Sequence, residues 1–538
     1  MCLLALFILL LSRPGVMLAQ EPIKCGFSEI AALHTASAHD ARARIVLKAA
    51  AQRPVLPLSY ITPDNRFEIH YTLTGPDAVN PSSTNSAGVP DFIYEAGLAA
   101  QRAYKLLVDP DSLGMRPHAN DNGADGPQFD FYINNRTNSE YGSTVPEFQG
   151  ASGPAYCLID NDFGPGYYTQ GLDGLRVTVA HEYFHAVQLN YFLRDEDVYF
   201  FEISSVWFED YAYDDINDYY SYLRSWFREL DKPLNEPDGS HQYGSGIWLH
   251  YLIKRLGTTE VVRLLWERVI NEPSVFAMRH VLQSQPFNLP FDQAMQEFYT
   301  WCFFTGYRAD AEKYFAEGEN YPLIPFMASN SFRIAANENL DGNLAPLAAR
   351  FYRFIRTGLD LQFVLSEVAE PGRWSVTTIT ADSEEDYLLK SDRAFAPISV
   401  PGQNREDTVF VAIANVGLPP NANQSPAASF QLQVRLGEQL DLPNILEKPR
   451  PNPMRVSRGD ILKIPFRLQE RVEVEAVIYR EDGRVVWNKI FGRLPAGPHE
   501  VVWNGANNAG EKVSSGVYLM RLIAGGFVES TKFALIHQ

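Results

Sequence analysis

The hydrophobic pattern of the chain changes its period near residue 335, and this change constrains the fold more than any other feature. From Leu175 to about Ile270, apolar residues recur at helical spacing in long amphipathic segments. Beyond residue 335, short segments alternate apolar and polar residues and are divided by Gly, Pro and Asn. Helical and alternating patterns in separate blocks predict separate domains. The 538 residues also exceed what one ordinary core accommodates.

The alternating part of the chain divides again at a proline-rich stretch, LPNILEKPRPNPM. Before it, RFYRFIRTG, LQFVLSEV and RWSVTTITA are typical of the short strands of a β-sandwich. After it, VEVEAVIY alternates strictly and precedes a hairpin turn, REDGR. We therefore predict a β-sandwich domain over residues 331–440 and a second all-β module over residues 446–538.

The N-terminal part is predicted to contain a leader and a mixed domain. Residues 1–20 hold an apolar run that is too short to span a bilayer, and small or polar residues follow it, as in a secretory signal peptide. Over residues 21–330, short strands such as RFEIHYTLTG precede the mainly helical region, which predicts an α+β domain. Beyond the leader, no segment is apolar enough to cross a membrane. These features predict a secreted or cell-surface protein.

Charge and cysteine content narrow the choice of partners. Acidic residues outnumber basic ones 65 to 46, for a net charge of −19 at pH 7. Nucleic acids and anionic membranes bind basic surfaces, so neither is expected as a partner. Three cysteines remain after the leader, Cys25, Cys157 and Cys302. An exported protein can pair two of them, but the sequence does not identify the pair.

The stretch TVAHEYFHAVQ places two histidines four residues apart, with a glutamate beside the first. On a helix, His181 and His185 lie on one face, so both imidazoles can bind one zinc ion. Glu182 is rotated by about 100° around the helix and lies beside the metal rather than on it. That position suits a general base that takes a proton from a metal-activated water.

A catalytic zinc ion requires a third protein ligand, and the next helical segment offers two glutamates. Glu202 and Glu209 are two helical turns apart, so both project from nearly the same face. The small residues Ser204 and Ser205 follow Glu202 and allow a second helix to approach closely. Glu209 lies in EDYAYDD, which is expected to meet solvent. We predict Glu202 as the ligand and keep Glu209 as the alternative, its other interpretation being a solvated or supporting carboxylate.

Tyr243 stands at the start of a predicted amphipathic helix, YGSGIWLHYLIKRLG, which Gly257 ends. A phenol at that position can point into a cleft and donate a hydrogen bond to the oxyanion of a tetrahedral intermediate. The chain has 27 tyrosines, so a packing role is the alternative.

An acidic turn, DNGADG, offers oxygen ligands of the kind that calcium prefers. It lacks the complete EF-hand loop and its closing glutamate, so a plain acidic turn is the alternative interpretation. The candidate calcium ligands are Asp121, Asn122, Asp125 and the nearby Asp130.

Three segments, in this order, resemble zinc peptidases of the gluzincin class. HEYFH resembles their signature helix, EISSVW their glutamate helix, and YGSGIWLHYLIKRLG the tyrosine helix of aminopeptidase N-type enzymes. The resemblance implies a zincin-like catalytic domain that is mainly helical around its site. The implied roles are zinc ligation by His181, His185 and Glu202, general-base catalysis by Glu182, and transition-state hydrogen bonding by Tyr243. The Gly-x-Met-Glu-Asn strand of the exopeptidases is missing from the sequence, which favours an endopeptidase.

Two wider resemblances concern the rest of the chain. Over residues 25–330, ordered motifs including CGF, GVPDFI and VAHEYFHAVQ resemble a family of secreted bacterial proteins that are predicted to be metalloproteases. In the last module, PNP, DGR, AGPHEVVWNG and SSGVYLMRL resemble the Ig-like sorting domain of type IX secretion substrates, which is related to flagellar hook-capping modules. This second resemblance implies export by a secretion machinery to the cell surface or medium.

These features together predict a secreted zinc metallopeptidase that acts on protein or peptide substrates. The competing hypothesis is a cell-surface binding or adhesion protein whose zinc domain is structural or inactive. Zinc closed by four protein side chains would favour the adhesion protein, whereas an open coordination position would favour the enzyme. Hydrolysis of a non-peptide bond by the same chemistry is a third hypothesis.

Overall fold

The computed structural model describes residues 22–37, 40, 42, 52–121, 123, 126–357, 360–367, 373–381, 387–392, 398–400, 406–422, 425–436, 444–458, 460–469, 471–494 and 497–537. The chain forms two compact units. One comprises Met1–Pro325, Ala345–Ala348 and Val416–Pro426, and the other comprises Phe326–Leu344, Ala349–Asn415 and Ala427–Gln538. The prediction of a multidomain protein with helices, several β-sheets and a β-rich C-terminal region is confirmed. The domain boundaries near 330 and 440 stay predictions, and the leader over 1–20 lies outside the described residues.

The first unit contains one mixed sheet. Its strands are β1 (Leu58–Ile61), β2 (Phe67–Tyr71), β3 (Phe129–Ile133), β4 (Gly142–Pro146) and β5 (Ala155–Ile159). They lie in the order β1-β2-β3-β5-β4. The central strands β2, β3 and β5 are parallel, whereas β1 and β4 are antiparallel to their neighbours. Strand β4 is therefore an edge strand of this sheet.

Helices make up most of the remainder of the first unit. They are α1 (Phe27–Ser37), α2 (Asp91–Val108), α3 (Gly171–Gln188), α4 (Val198–Ala212), α5 (Tyr220–Arg228), α6 (Ser240–Gly244), α7 (Ile247–Leu256), α8 (Glu260–Val269), α9 (Ser274–Gln283) and α10 (Phe291–Phe303). Helix α3 packs between α2, α4 and the strands β4 and β5. From Gly174 onward every residue of α3 except Arg176 is buried, because apolar residues surround the helix. The central position of α3 carries its polar residues into the interior.

A membrane-spanning helix needs both length and a nearly continuous apolar surface. Within the described ranges, no helix meets both requirements.

The second unit begins with two sheets that pack face to face. The strands are β6 (Ser331–Arg333), β7 (Glu338–Leu344), β8 (Ala348–Thr357), β9 (Leu361–Glu367), β10 (Trp374–Ala381), β11 (Tyr387–Asp392), β12 (Ile398–Val400), β13 (Glu406–Asn415) and β14 (Ala428–Leu436). One sheet has the order β11-β10-β13-β8-β6 and the other β12-β9-β14-β7. The pairs Phe354–Phe363 and Trp374–Phe430 connect the two sheets, each with ring centroids 5.2 Å apart. This packing is the predicted β-sandwich.

A second pair of sheets forms the C-terminal module. Its strands are β15 (Ile445–Leu446), β16 (Met454–Arg455), β17 (Leu462–Leu468), β18 (Val472–Arg480), β19 (Val485–Leu494), β20 (Gly497–Trp503), β21 (Gly516–Ala524) and β22 (Phe527–Ile536). The sheet orders are β15-β17-β20 and β16-β22-β21-β18-β19. The predicted turn REDGR joins β18 to β19, and Gly483 adopts a φ of 84° there, which glycine tolerates best. Trp503 of one sheet packs against Tyr518 and Phe533 of the other.

Replacing Trp503 by Ala is expected to destabilise the C-terminal module by about 3–5 kcal/mol, because a large buried ring leaves the core. Trp503 is 2% exposed, and its Nε1 donates to Ala506 O at 2.7 Å. Val502→Ala is the control, since Val502 precedes Trp503 in β20 and is 49% exposed. Amide hydrogen exchange across β17 to β22 measures the loss of protection in both variants. Equal protection in the two would contradict this description of the core.

Candidate metal centre

His181 and His185 face each other from successive turns of α3. Their Nε2 atoms are 3.0 Å apart, and the two rings are nearly perpendicular at 88°. Both side chains are almost completely buried. The four-residue spacing therefore brings two nitrogen donors to one point inside the protein.

Helix α4 places Glu202 against both imidazoles. Its Oε2 is 3.2 Å from His181 Nε2 and 3.5 Å from His185 Nε2. The small residue Ser205 allows α4 to approach α3 here, and its Oγ lies 3.3 Å from His185 Nδ1. Burial disfavours the charged carboxylate, but the two imidazoles outweigh that effect and lower the pKa of Glu202 to about 2. Glu202 thus meets both Nε2 atoms as an anion.

Glu209 contacts the opposite nitrogen of His181. Its Oε1 accepts a hydrogen bond from His181 Nδ1 at 2.6 Å. Glu209 is 1% exposed, so the expectation that it meets solvent is wrong. Glu209 therefore orients the His181 ring through Nδ1 and does not face the Nε2 atoms, where a metal ion would bind.

The partners of the two Nδ1 atoms indicate the tautomers of the histidines. A carboxylate can only accept, so His181 Nδ1 donates to Glu209. His185 Nδ1 lies 2.8 Å from Gln188 Oε1, and Gln188 Nε2 donates to Phe201 O at 3.2 Å, which fixes the orientation of the amide. Both Nε2 atoms therefore direct lone pairs toward each other. Two lone pairs at 3.0 Å require a shared proton or metal ion between them.

Cys25 supplies a further donor that the sequence analysis did not assign to the site. Its Sγ is 3.5 Å from His185 Nε2. One ligand atom each from Cys25, His181, His185 and Glu202 lies within 4.8 Å of the others. Burial, followed by the charges of Glu182 and Glu202, raises the pKa of the Cys25 thiol. No sequence spacing could have indicated this contact, because Cys25 is far from α3 along the chain.

Backbone hydrogen bonds hold the segment around Cys25 along the start of the edge strand β4. Tyr141 N donates to Ile23 O at 2.9 Å, and Gly26 N donates to Gly142 O at 2.9 Å. The segment over residues 23–26 therefore runs beside residues 139–142, and it occupies one main-chain acceptor of β4, the carbonyl oxygen of Gly142.

Buried ion pairs of Lys24 also hold the segment over residues 23–26 in place. Its Nζ lies 2.7 Å from Glu209 Oε2 and 2.6 Å from Asp218 Oδ2, and all three side chains are buried. Burial disfavours the ammonium, but Asp218 and Glu209 outweigh this and raise the pKa of Lys24. A buried charge without partners costs several kcal/mol. The ammonium of Lys24 is therefore stable in the interior only where it contacts Glu209 and Asp218. The position of its neighbour Cys25 follows from that anchor.

Glu182 lies beside the candidate ligands rather than among them. Its Oε2 accepts a hydrogen bond from Thr144 Oγ1 at 2.7 Å. Its Oε1 has no hydrogen-bond partner of normal geometry among the described residues. Gly142 makes room for the side chain, since a Cβ there would lie 2.9 Å from Glu182 Cγ. Burial raises the pKa of Glu182, and the imidazoles of His181 and His185 oppose that shift.

Tyr243, in the short helix α6, contacts the backbone of Cys25 next to the candidate ligands. Its hydroxyl donates to Cys25 O at 3.3 Å. The side chain is 6% exposed, and burial, followed by the charge of Glu202, raises its pKa. The phenol is thus within reach of a peptide carbonyl beside the candidate ligands.

The donor set fits a zinc ion. Two imidazole nitrogens, a carboxylate oxygen and a thiol converge in a buried position, and these are the usual ligand types of zinc. An oxygen acceptor binds the second nitrogen of each ring, which orients the Nε2 lone pairs. For His181, burial opposes the charged ring, but hydrogen bonds to Glu202 and Glu209 raise its pKa to about 9.

The acidic turn predicted to bind calcium contacts an arginine. Arg53 Nη2 lies 2.7 Å from Asp121 Oδ2, and Arg53 Nη1 lies 2.5 Å from Asp130 Oδ2. Arg53 thereby supplies positive charge to both carboxylates. The other two candidate ligands, Asn122 and Asp125, lie outside the described residues, and the calcium site stays a prediction.

The three described cysteines form no disulfide. Cys25, Cys157 and Cys302 are all free and buried, so the pairing considered from the sequence is not formed. Cys157 Sγ lies 3.5 Å from Thr144 Oγ1, the hydroxyl that also binds Glu182. The thiol of Cys25 is therefore available as a metal ligand.

Comparison with known sequences identifies one part of the chain. Residues 455–525 match the family model of the FlgD Ig-like domain, which agrees with the paired sheets of the C-terminal module. The match covers the predicted sorting module and leaves the metal centre unassigned. The chain matches no curated protein sequence.

Several solved structures share local similarity with the chain. PorZ, an essential bacterial surface component of the type-IX secretion system of Porphyromonas gingivalis, is 22% identical over 20% of this chain and 14% of PorZ, with a TM-score of 0.14. Dimeric latent PorU from Porphyromonas gingivalis is 14% identical over 39% of this chain and 19% of PorU, with a TM-score of 0.16. Aeromonas hydrophila PliG, a periplasmic lysozyme inhibitor, is 8% identical over 20% of this chain and 96% of PliG, with a TM-score of 0.16. TM-scores this low carry no argument about function.

Replacing Glu209 by Gln is expected to weaken zinc binding by about 10- to 100-fold, because His181 loses the carboxylate that orients its ring. Glu202→Gln, the same substitution on the same helix, is expected to weaken binding further, since it removes the carboxylate that faces both Nε2 atoms. Competition with a chromophoric chelator measures both affinities in the full chain. The opposite order of affinities would identify Glu209 as the third ligand.

Proposed function

We propose that the first unit is a zinc metallopeptidase and that the chain is a secreted or cell-surface enzyme acting on proteins or peptides. The observation that carries this proposal is the position of Glu182. It is a buried carboxylate with one oxygen held by Thr144 and with no hydrogen bond of normal geometry at the other among the described residues, and it stands beside His181 and His185. A zinc site that serves folding alone needs only its ligands. A carboxylate beside them is what hydrolysis requires of a general base.

Zinc, when bound, polarises the scissile carbonyl and lowers the pKa of a water molecule toward about 7. Thr144 holds Glu182 Oε2, so Oε1 is the oxygen that accepts the proton of the attacking water. Burial raises the pKa of Glu182, which makes the carboxylate a stronger base than an exposed glutamate. The same oxygen then delivers the proton to the nitrogen of the leaving amine. His181, His185 and Glu202 would hold the metal.

Tyr243 is proposed as the hydrogen-bond donor to the oxyanion. Its hydroxyl donates to a backbone carbonyl, that of Cys25, at 3.3 Å, which is the type of group that hydrolysis attacks. Burial, followed by the charge of Glu202, raises the pKa of the phenol, so it keeps its proton at neutral pH. A neutral donor in a buried site stabilises the negative charge that develops on a carbonyl oxygen.

The edge strand β4 supports a peptide as the substrate. Gly142 at its start already accepts a backbone hydrogen bond from Gly26, and Tyr141 just before it donates one to Ile23. All residues of β4 are buried in this arrangement, but a strand edge that is uncovered binds extended peptides through main-chain hydrogen bonds of this kind. Such pairing requires the regular amides of a polypeptide, so it favours hydrolysis of peptide bonds over that of other bonds.

The C-terminal module is proposed to direct the chain to the cell surface or medium through a secretion machinery. The match of residues 455–525 to the FlgD Ig-like domain supports this role, and so does the leader predicted over residues 1–20. Sorting and catalysis are thus assigned to different parts of the chain. The net charge of −19 is the reason that no nucleic acid is proposed as a partner.

Cys25 favours a second candidate function. Four protein donors, Cys25, His181, His185 and Glu202, can close the coordination of a zinc ion, as in sites that serve structure alone. In this alternative the chain is a cell-surface binding or adhesion protein, and its β-modules contact the partner. Activity separates the two candidates, because only the enzyme requires Glu182.

Glu182→Gln is expected to keep the zinc content of the wild type and to lose cleavage of a random peptide library by at least about 100-fold, because no base remains for the water. Each chain is tested with Cys25 intact and with Cys25→Ser, since Cys25 lies against the candidate ligands. Metal analysis and mass spectrometry of the peptides give the two readouts.

The matched control is Glu260→Gln at the start of α8, where the glutamate side chain is 49% exposed. It is expected to keep both zinc and cleavage. Cleavage by Glu182→Gln at the rate of its parent chain would contradict the mechanism. Bound zinc without cleavage in every chain would favour the adhesion protein.

A further inference from the structure

We propose that Cys25 is the fourth ligand of the metal centre and that residues 23–27 lie where a substrate would bind, so that the enzyme is latent until this segment is displaced. The ligand part of the proposal stands on the donor geometry alone. The latency part rests on the proposed peptidase function. The two parts therefore make separable predictions.

The sulfur is placed as a ligand would be. Cys25 Sγ is 3.5 Å from His185 Nε2 and belongs to the group of donor atoms that lie within 4.8 Å of one another. Cys25 is 4% exposed, so the thiol points into the interior instead of solvent. Phe27 N lies 3.3 Å from the sulfur and donates to it, which suits a sulfur that carries negative charge. Imidazole, carboxylate and thiolate together form a closed four-ligand zinc set.

Contacts on both sides of Cys25 hold it against the other ligands. On the N-terminal side, Lys24 is buried between Glu209 and Asp218. On the C-terminal side, the Phe27 ring stacks on the ring of His185 with centroids 4.3 Å apart. The ring contact and the ion pairs position the thiol, and a sulfur–metal bond would add the last restraint that holds the segment over the centre.

The residue after Phe27 also binds a ligand of the centre. Ser28 Oγ donates to Glu202 Oε1 at 2.8 Å, while Glu202 Oε2 faces the two imidazoles. Gln242 Nε2 in turn donates to Ser28 Oγ at 3.2 Å. The start of α1 is thus built into the surroundings of the metal ligands rather than resting on them.

Residues 23–27 form hydrogen bonds with protein groups that would bind a substrate in the proposed reaction. The hydroxyl of Tyr243 donates to the carbonyl oxygen of Cys25, where the mechanism places the carbonyl under attack. Gly26 N donates to Gly142 O at the start of β4, a main-chain acceptor that an extended peptide would also use. A substrate and this segment cannot occupy those groups together. The segment consequently competes with a substrate for the hydroxyl of Tyr243 and for the edge of β4.

The coordination step is reversible and needs no oxidant. When the sulfur binds the metal, the S–H bond breaks, its proton passes to solvent and the sulfur lone pair forms the new bond. When the segment leaves, the sulfur takes a proton back and its coordination position becomes free. Latency then ends by displacement of residues 23–27, without any change in the oxidation state of Cys25.

Cobalt substitution tests the ligand part without relying on activity. Co²⁺ replaces zinc in the full chain, and the near-ultraviolet spectrum is recorded for a sulfur-to-cobalt charge-transfer band. The band is expected in the wild type and is expected to disappear in Cys25→Ser, which should still bind the metal through three protein ligands. Cys302→Ser is the matched control, because Cys302 is buried but lies outside the group of donors, and it should keep the band. Cys25→Ala provides a second variant if the serine substitution impairs folding.

The same samples test latency with the peptide library. Cys25→Ser removes the sulfur ligand, which opens a coordination position and weakens the hold on the segment, so cleavage is expected to rise by about 10-fold or more as the competent state becomes more populated. Equal cleavage by wild type and Cys25→Ser would overturn latency and leave the peptidase proposal standing. Loss of the band in Cys25→Ser with no cleavage in either chain would support the ligand, but overturn latency and the peptidase proposal together. A metal-loaded wild type without the band overturns the ligand proposal, whatever the variants do.

Discussion

A series of buried side chains in the first unit alternates between acidic and basic groups, and each group contacts the next. The geometry of the candidate metal centre depends on these pairs. Glu202 and Glu209 contact the two nitrogens of His181, Glu209 also contacts Lys24, and Lys24 contacts Asp218. Each of these groups would be costly to bury alone, since an unpaired interior charge costs several kcal/mol. The pairing therefore requires α3, α4 and the N-terminal segment to pack together. A metal ion held by the Nε2 atoms would continue the same alternation, because it would add positive charge next to Glu202.

Local periodicity made the centre of the site predictable. The spacing of His181 and His185 requires only that the stretch be helical, and the same rotation places Glu182 to one side. The choice between Glu202 and Glu209 was beyond periodicity, because residues two turns apart share a face. In the structure both glutamates contact His181, one at each ring nitrogen. The packing of α3 against α4 determines which nitrogen of His181 faces His185 and Glu202. The sequence of one helix does not contain that information.

Contacts between distant parts of the chain were missed for a related reason. Cys25 reaches His185 because residues 23–26 pair with the start of β4 and because Lys24 has buried partners. No local pattern encodes either interaction. The cysteines were considered for disulfide pairing, although all three described thiols are free. In the β-rich region, by contrast, alternation and turn residues predicted the sandwich packing well, since each strand carries its own inward face.

Zinc chemistry is proposed for the first unit and export for the C-terminal module, and both the peptidase and the latency proposals require a zinc site between α3 and α4. The most direct measurement is the zinc content of the purified full chain, compared with His185→Ala and with His280→Ala, whose histidine is 41% exposed at α9. The account predicts about one zinc ion per chain in the wild type and in His280→Ala, and little in His185→Ala. A wild type without zinc, or undiminished zinc in His185→Ala, would contradict it.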